Sequence, residues 1–120
     1  MPNKKLTTEQ KYVLFEHGTE KPFSSPLLKN KDSGNYLCAN CGAKLFSSDS
    51  KFESGTGWPS FDAAVVGAIE WKEDKSNNMQ RTEAICRKCK AHLGHIFDDG
   101  PTQTGRRFCI NGCALDFKKS

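Results

Sequence analysis

Six cysteines are the residues of this sequence with the clearest chemical potential. Four of them form two C-x2-C pairs, Cys38 with Cys41 and Cys86 with Cys89. Two residues between thiolates allow a tight turn to direct both sulfurs at one ion, and two such turns complete a tetrahedral S4 site. Because four protein sulfurs leave no open coordination position, the pattern predicts one structural Zn²⁺ that takes no part in chemistry.

Two other interpretations of these pairs are redox-active dithiols and ordinary buried cysteines. The pairs lie further apart than the spacing of about 15–20 residues that is usual in zinc ribbons, although a hairpin can bring distant turns together. A thioredoxin-like dithiol normally lies at a βα junction, and the sequence has no such pattern. The N-terminus lacks the apolar stretch of a secretory signal, so we expect a cytoplasmic chain, in which cysteines serve as metal ligands or catalytic thiols rather than disulfides.

The remaining cysteines, Cys109 and Cys113, are candidates for thiol chemistry. Arg106 and Arg107 precede Cys109, and cationic neighbours favour the reactive thiolate. The alternative is that both cysteines are small hydrophobic residues of a strand. The residue types alone favour neither interpretation over the other.

Two histidines favour the catalytic interpretation. His92 and His95 follow the second cysteine pair, and an imidazole can act as acid, base or partner of a thiolate. Alternatively, one of them replaces a cysteine on the metal, or both are surface residues. Trp58 lies in a loop shaped by Gly55, Gly57 and Pro59, which either presents the ring to a ligand or covers a core tryptophan.

The elements that must position these residues are short. Thr7 and Gln10 form a capping-box pattern that predicts a helix over residues 7–17, ending before Gly18, with His17 at its C-terminal end. Residues 18–35 have loop composition. We expect strands near 36–38, 44–46, 65–72, 79–86 and 105–110, with a hairpin connection at 73–78. The predicted architecture is a small antiparallel β domain with a short N-terminal helix.

Length and composition exclude several classes of protein. A chain of 120 residues predicts a single domain. The chain has 18 basic and 14 acidic residues, a net charge of only +4. The basic residues form no continuous stripe along the sequence, so we expect no nucleic-acid partner. No apolar run approaches the about 20 residues that a membrane span requires, so we expect no membrane association.

Several longer segments, taken in order, resemble the B-type methionine sulfoxide reductases, which reduce the R epimer of methionine sulfoxide in proteins. The resemblance covers about residues 5–117, and its motifs are long and unusual. The matching segments are Glu20–Leu28, the Cys38 pair, Phe52–Phe61, Arg81–Glu83, the Cys86 pair, Ala91–Pro101 and Arg107–Asn111.

The resemblance implies a fold and a site. The fold is two small antiparallel sheets with a short N-terminal helix, stapled by a structural Zn²⁺ on the two cysteine pairs, in a single reductase domain over residues 1–120. Cys109 matches the nucleophile. The other matching site residues are His92, His95 and Asn111 as catalytic groups, and Trp58, Phe61, Arg107 and Asp99 as substrate-binding groups.

The chemistry of the reaction requires such groups. A sulfoxide sulfur is electrophilic but its oxygen leaves poorly, so the reaction needs a thiolate, here Cys109, and a proton donor, here His95 or His92, with His95 preferred. Asn111 can orient the oxygen through its amide donors. The methyl group becomes partly positive as the oxygen is protonated, and the face of Trp58 attracts it by about 0.5–2 kcal/mol.

The sequence departs from one common family pattern at the resolving cysteine. Many members carry that cysteine where this chain has Thr56. The spare thiol is Cys113, but four straight strand residues span about 13 Å, whereas a disulfide needs a Cα separation of about 4.4–6.8 Å. A turn at Asn111-Gly112 can shorten this span, but the resemblance places Asn111 in the site, which argues against a flexible turn. We therefore expect thioredoxin or another thiol to reduce the Cys109 sulfenic acid directly, with Cys113 as the candidate resolving thiol in second place. The protein is expected to be a monomer.

A function of another class is also compatible with the residues, namely a non-catalytic zinc-ribbon module that binds protein or nucleic acid. Replacing Cys109 by serine would leave such a module unaffected, whereas an enzyme would lose turnover. A zinc hydrolase or deaminase is excluded because it needs an open metal position, and a deaminase also needs an H-x-E motif.

Overall fold

The computed structural model describes residues 6–16, 18–74, 81–100, 102 and 104–119. Within these ranges the chain forms one α-helix, α1 (Thr8–Glu16), and nine strands. The strands are β1 (Gly34–Cys38), β2 (Lys44–Ser47), β3 (Lys51–Phe52), β4 (Ser60–Phe61), β5 (Ile69–Asp74), β6 (Arg81–Cys86), β7 (His92–Phe97), β8 (Arg107–Ile110) and β9 (Leu115–Lys119).

The strands form two antiparallel sheets. One sheet has three strands in the order β2-β1-β9, and the other has six in the order β3-β4-β8-β7-β6-β5. The predicted fold class, two antiparallel sheets with a short N-terminal helix, is confirmed.

The helix α1 begins at the predicted capping box. The Gln10 N–H donates to Thr7 Oγ1 at 3.1 Å, and the Thr7 N–H donates to Gln10 Oε1 at 2.8 Å. Beyond the helix, the Gly18 N–H donates to the Tyr12 carbonyl at 3.0 Å. Val13 and Leu14 are buried and attach the helix to the core. The predicted role of His17 lies outside the described residues.

The core lies between the two sheets. Phe46 from the small sheet stacks on Phe61 from the large sheet, with ring centroids 4.2 Å apart. Tyr36 meets Phe61 edge-on at 5.1 Å, and Phe108 meets Phe46 edge-on at 5.7 Å. Such aromatic pairs add about 0.5–1.5 kcal/mol each beyond their burial. These contacts hold the two sheets face to face.

The strand predictions are confirmed for β1, β2, β6 and β8 and are incomplete elsewhere. The predicted strand 65–72 begins at Ile69 instead, and β5 continues through Glu73 and Asp74 into the predicted connection. The rest of that connection, residues 75–78, and positions 79–80 lie outside the described residues. The sequence analysis missed β3, β4, β7 and β9, of which β3 and β4 are only two residues long. In the described ranges, no helix combines the length and the apolar composition that crossing a membrane demands.

Candidate metal centre and active site

Each C-x2-C pair lies in the turn of a hairpin. Cys38 ends β1 and Cys86 ends β6, so each pair connects its strand to the next. The Gly42 N–H donates to the Cys38 carbonyl at 2.8 Å, and the Lys90 N–H donates to the Cys86 carbonyl at 2.7 Å. Both turns need a left-handed residue, with φ of 79° at Gly42 and 67° at Lys90. Glycine adopts this conformation without strain and lysine does not, so only the first turn was recognisable from its sequence.

The two turns bring the four cysteine sulfurs together. All four Sγ atoms lie within 4.8 Å of one another, and two of the Sγ–Sγ distances, Cys38 to Cys89 and Cys41 to Cys86, are 3.6 Å. Four sulfurs at about 2.3 Å from a tetrahedral Zn²⁺ would be about 3.8 Å apart, so the spacing fits such an ion. The hydrogen bond between Cys38 and Cys86 lowers the pKa of Cys86 to about 5 and raises the pKa of Cys38, so Cys86 is the member of this pair that more readily supplies the thiolate that a metal requires.

A metal in this cluster would connect the two sheets. The first pair belongs to the β1–β2 hairpin of the three-stranded sheet, and the second belongs to the β6–β7 hairpin of the six-stranded sheet. Cys38 and Cys86 are buried at the edge of the core. The four cysteines can therefore hold a metal ion, and its position suits a structural role.

The large sheet aligns chemically active residues in one row across five strands. Cys109 on β8 is paired with Ser60 on β4 and with His95 on β7. His95 is paired in turn with Glu83 on β6, which is paired with Lys72 on β5. Directly paired residues project from the same face of a sheet. The candidate nucleophile and one candidate acid are therefore cross-strand neighbours.

Cys109 lies in a cavity of about 110 Å³, called here the Cys109 pocket. It brings together four of the predicted site residues, Cys109, His95, Trp58 and Asn111. The other lining residues are Thr19, Arg81, Gly94 and Phe97.

The charge state of Cys109 reflects burial opposed by its neighbours. Burial raises the pKa of Cys109, while a hydrogen bond with Thr56 and the charge of Arg107 lower it. Asp99 holds Arg107 in a two-point ion pair, with Nε to Oδ1 at 2.9 Å and Nη2 to Oδ2 at 3.1 Å. The same pair raises the pKa of Arg107 and lowers that of Asp99. Arg107 is thus a fixed cation near the thiol.

Trp58 lines the pocket because its loop is fastened on both sides. Ser54 Oγ lies 2.7 Å from Ser60 Oγ and closes the base of the loop. The Phe23 N–H donates to the Gly57 carbonyl at 2.7 Å. The indole Nε1 donates to the Glu20 carbonyl at 2.9 Å. The ring is half-buried at the cavity, as the ligand-presenting interpretation of the loop predicts.

The two histidines occupy different environments. His95 lines the Cys109 pocket, whereas His92 is buried outside its lining. His92 Nδ1 lies 2.6 Å from Glu83 Oε2, and the two imidazole rings meet edge-on at 5.4 Å. His95 is therefore the histidine placed to reach a bound substrate.

Asn111 is held by two hydrogen bonds. Its Oδ1 accepts from the Glu20 N–H at 3.0 Å, and its Nδ2 donates to the Leu93 carbonyl at 3.0 Å. An amide nitrogen has two donors, so one hydrogen remains beyond the bond to Leu93.

Besides His92, Arg107 and Asp99, two further predicted site residues are not among the lining residues of the Cys109 pocket. Phe61 is fully buried in the core, stacked on Phe46. Cys113 lies in the 3-10 turn Gly112–Ala114 and is not among the pocket residues. Burial, with the charges of Glu20 and Glu9, raises the pKa of Cys113 to about 12.

Comparison with known proteins shows which family the chain belongs to. A model of the SelR domain matches residues 6–119. The chain belongs to the SelR family. A peptide methionine sulfoxide reductase MsrB of Methanosarcina barkeri is 56% identical over 96% of this chain and 82% of its own length. The mitochondrial methionine-R-sulfoxide reductase B2 of Rattus norvegicus is 52% identical over 98% of this chain and 72% of its own length. The predicted membership of the B-type methionine sulfoxide reductases is confirmed.

The SelR fold also has a distant structural neighbour. The crystal structure of the Mis18 Yippee-like domain superimposes with a TM-score of 0.59, covering 73% of this chain and 97% of that domain, at 14% identity. At this identity the similarity concerns the fold alone.

The sequence analysis did not predict four residues that line the Cys109 pocket, namely Thr19, Arg81, Gly94 and Phe97. Phe97 was detectable in principle, since it lies two residues after His95 and strand residues two apart share a face. That signal required recognising β7 as a strand. Gly94 is needed because a Cβ there would overlap the Cys109 carbonyl oxygen on β8.

Proposed function

We propose that this SelR-family chain reduces methionine-(R)-S-oxide residues in proteins to methionine, with Cys109 as the nucleophile. The observation that carries the proposal is the placing of Cys109, His95 and Trp58 around one cavity. The reduction requires a thiolate and a proton donor, and an indole face attracts the partly positive methyl group of the substrate. The activity of the two relatives described above agrees with this assignment.

In the first step the Cys109 thiolate attacks the sulfoxide sulfur. This attack forms a bond between Cys109 Sγ and the substrate sulfur, and a proton passes to the oxygen. The hydroxyl then transfers to Sγ while the substrate S–O bond and the Sγ–S bond break, which releases methionine and leaves Cys109 as a sulfenic acid. The methionine sulfoxide is thereby reduced, and Cys109 is oxidised, by two electrons. His95 is the proposed proton donor because it lines the pocket as the cross-strand partner of Cys109. His92, hydrogen-bonded to Glu83, meets the ring of His95 edge-on and helps to orient it.

The remaining site residues bind and orient the substrate. Trp58 faces the methyl group, and the second amide hydrogen of Asn111 donates to the sulfoxide oxygen. Arg107, held by Asp99, stabilises the thiolate of Cys109. Phe61, buried in the core, supports the β4–β8 pairing beneath the nucleophile.

In the second step thioredoxin reduces the sulfenic acid. Its two thiols supply two electrons and form a disulfide, and the oxygen leaves as water. Direct attack by thioredoxin is favoured over resolution by Cys113, because a thiol with a pKa of about 12 is a poor nucleophile at neutral pH. We further propose that the metal is one structural Zn²⁺ and that the protein acts as a single-domain cytoplasmic monomer.

The test is turnover of resolved R and S epimers of a blocked methionine sulfoxide, with thioredoxin or dithiothreitol as reductant. We expect the wild type to reduce only the R epimer and Cys109→Ser to be inactive while it retains metal and fold. Activity with dithiothreitol alone would reject thioredoxin as the reductant. No activity on either epimer by folded, metal-loaded protein would overturn the proposal in favour of a zinc-ribbon binding module.

A further inference from the structure

Glu20 is a buried carboxylate beside the Cys109 pocket for which the proposed reaction has no use. It lies between α1 and β1, and only 4% of its surface is exposed. Buried carboxylates are rare unless their oxygens are hydrogen-bonded.

The backbone of Glu20 holds two walls of the pocket. Its carbonyl accepts from Trp58 Nε1 at 2.9 Å, and its N–H donates to Asn111 Oδ1 at 3.0 Å. One peptide segment therefore sets the orientation of both the indole and the amide. A movement of Glu20 would displace both side chains together.

The carboxylate of Glu20 holds the turn that follows the active-site strand. Its oxygens accept from the N–H groups of Gly112 at 2.5 Å and Cys113 at 3.1 Å. Asn111 precedes this 3-10 turn, and its own side chain makes no capping hydrogen bond. The Glu20 carboxylate thus takes the capping role that Asn111 gives up by binding Glu20 and Leu93.

This arrangement is costly for the fold. Burial raises the pKa of Glu20, and the charge of Glu9 raises it further, while the bonds to Gly112 and Cys113 lower it. Asp116 lines, together with Glu20 and Glu9, a second cavity separate from the Cys109 pocket, and adds another acidic group there. Titratable groups whose pKa is shifted by burial and by specific partners cluster at functional sites.

We propose that Glu20 is a positioning residue of the active site, which locks the Trp58 indole and the Asn111 amide in the geometry that binds the sulfoxide. The inference rests on the proposed function and deepens it. Glu20 itself does not touch the substrate. The backbone of Glu20 binds Trp58 and Asn111, and its carboxylate binds the turn that follows Asn111. Weakening the carboxylate bonds would let Glu20 move, and the indole and the amide would move with it.

The test compares Glu20→Gln with Tyr36→Phe, both as metal-loaded full-length protein. Glutamine keeps the size of glutamate but replaces one acceptor oxygen by a donor, so the two N–H groups can no longer each bond to a separate oxygen as they do to Glu20. Tyr36→Phe removes a buried hydroxyl that accepts from Asn30 Nδ2 at 3.0 Å away from the pocket, and controls for loss of stability alone. Turnover of the blocked R epimer is measured well below both unfolding temperatures.

We expect Glu20→Gln to lower kcat by roughly 10- to 100-fold, because small misplacements of substrate-positioning groups have effects of this size. Tyr36→Phe should keep the wild-type kcat and KM. The chain has two tryptophans, so a Trp71→Phe background isolates Trp58 emission, which Glu20→Gln should shift to the red as the indole becomes more solvated. Should Glu20→Gln fail to fold, Glu20→Asp is measured in the same way, since it keeps the charge but shortens the reach.

Wild-type kinetics and Trp58 emission in the folded variant would overturn the inference, as would equal kinetic losses in Tyr36→Phe. The emission test is independent of activity. A wild type that reduces neither epimer would reject the proposed function, yet the emission shift would still report whether Glu20 positions Trp58.

Discussion

At the scale of single residues, the reactivity of Cys109 is set by opposing influences. Burial favours the neutral thiol, whereas Thr56 and Arg107 favour the thiolate. The raised pKa means that the thiol predominates in the free protein at neutral pH and that the thiolate fraction grows as the pH rises. Arg107 can stabilise the thiolate because its ion pair with Asp99 fixes its position on the strand that carries Cys109.

We predict that Arg107→Gln moves the reaction of Cys109 to higher pH. Removing the cation raises the pKa of Cys109 further, so its rate of alkylation by iodoacetamide at pH 7 should fall. The measurement is the alkylation rate against pH in metal-loaded Cys113→Ser protein. Arg106→Gln is the matched control, because Arg106 lies over the Trp71 ring at 4.6 Å. A profile that moves equally in both variants, or in neither, would contradict the assignment to Arg107.

Cys113 contrasts with Cys109. The charges of Glu20 and Glu9 act in the same direction as its burial and raise its pKa further. We predict that Cys113→Ser keeps thioredoxin-coupled turnover within about twofold of the wild type, because a thiol with so high a pKa attacks slowly. Mass spectrometry of the protein oxidised by substrate checks the mechanism. A Cys109–Cys113 disulfide in the wild type would show instead that Cys113 is the resolving thiol.

At the scale of elements, the pairing of β7 with β8 aligns His95 with Cys109. Sequence reasoning did not predict β7, since a segment containing two histidines and a glycine lacks the usual composition of a strand. Gly94 resolves the discrepancy, because only a residue without a side chain allows the Cys109 carbonyl to approach β7. The residue that obscured the strand is the one that makes the pairing possible.

We predict that Gly94→Ala loses activity through this pairing. The added methyl would overlap the Cys109 carbonyl, so the strands must separate locally. Overpacking of this kind costs about 1–3 kcal/mol of unfolding free energy. Turnover should fall by more than about tenfold, as the alignment of acid and nucleophile is lost.

Gly67→Ala is the control for this change. Gly67 has a φ of 79° and open space around it, so alanine there adds backbone strain without touching the β7–β8 pairing. Comparable losses of thermal stability are expected in the two variants, with turnover reduced only in Gly94→Ala. Full activity in a folded Gly94→Ala protein would show that the alignment is unimportant.

At the scale of the whole molecule, the four-cysteine cluster joins hairpins of the two sheets, which also pack on each other through the hydrophobic core. Metal binding to such sites contributes about 10–16 kcal/mol in zinc-finger peptides. The total stability of a domain is only about 5–15 kcal/mol. We therefore predict that removing the metal with a chelator abolishes the near-UV circular dichroism of the protein, and that one zinc is released per chain.

Cys41→Ser tests the same link without a chelator. It removes one ligand from the first turn, so zinc content and unfolding temperature should both fall, while Cys113→Ser should change neither. A metal-free chain that keeps its near-UV signal would show that the aromatic core suffices to hold the sheets together.

The sequence by itself determined the features that depend on near neighbours along the chain. The capping box predicted where α1 begins, and each C-x2-C spacing predicted a turn with two sulfurs on one side. Long motifs identified the family, and the resemblance predicted Cys109 as the nucleophile. The capping box and the C-x2-C turns can be predicted from sequence because the interacting residues lie within a few positions of one another.

Only the tertiary structure decided which of these residues meet. It placed His95 but not His92 at the pocket, buried Phe61 in the core, and brought Glu20 to Trp58 and Asn111. Each outcome depends on strand register or on contacts between distant segments. A shift of one residue in register would turn every side chain of a strand to the opposite face, and composition and spacing do not specify that register.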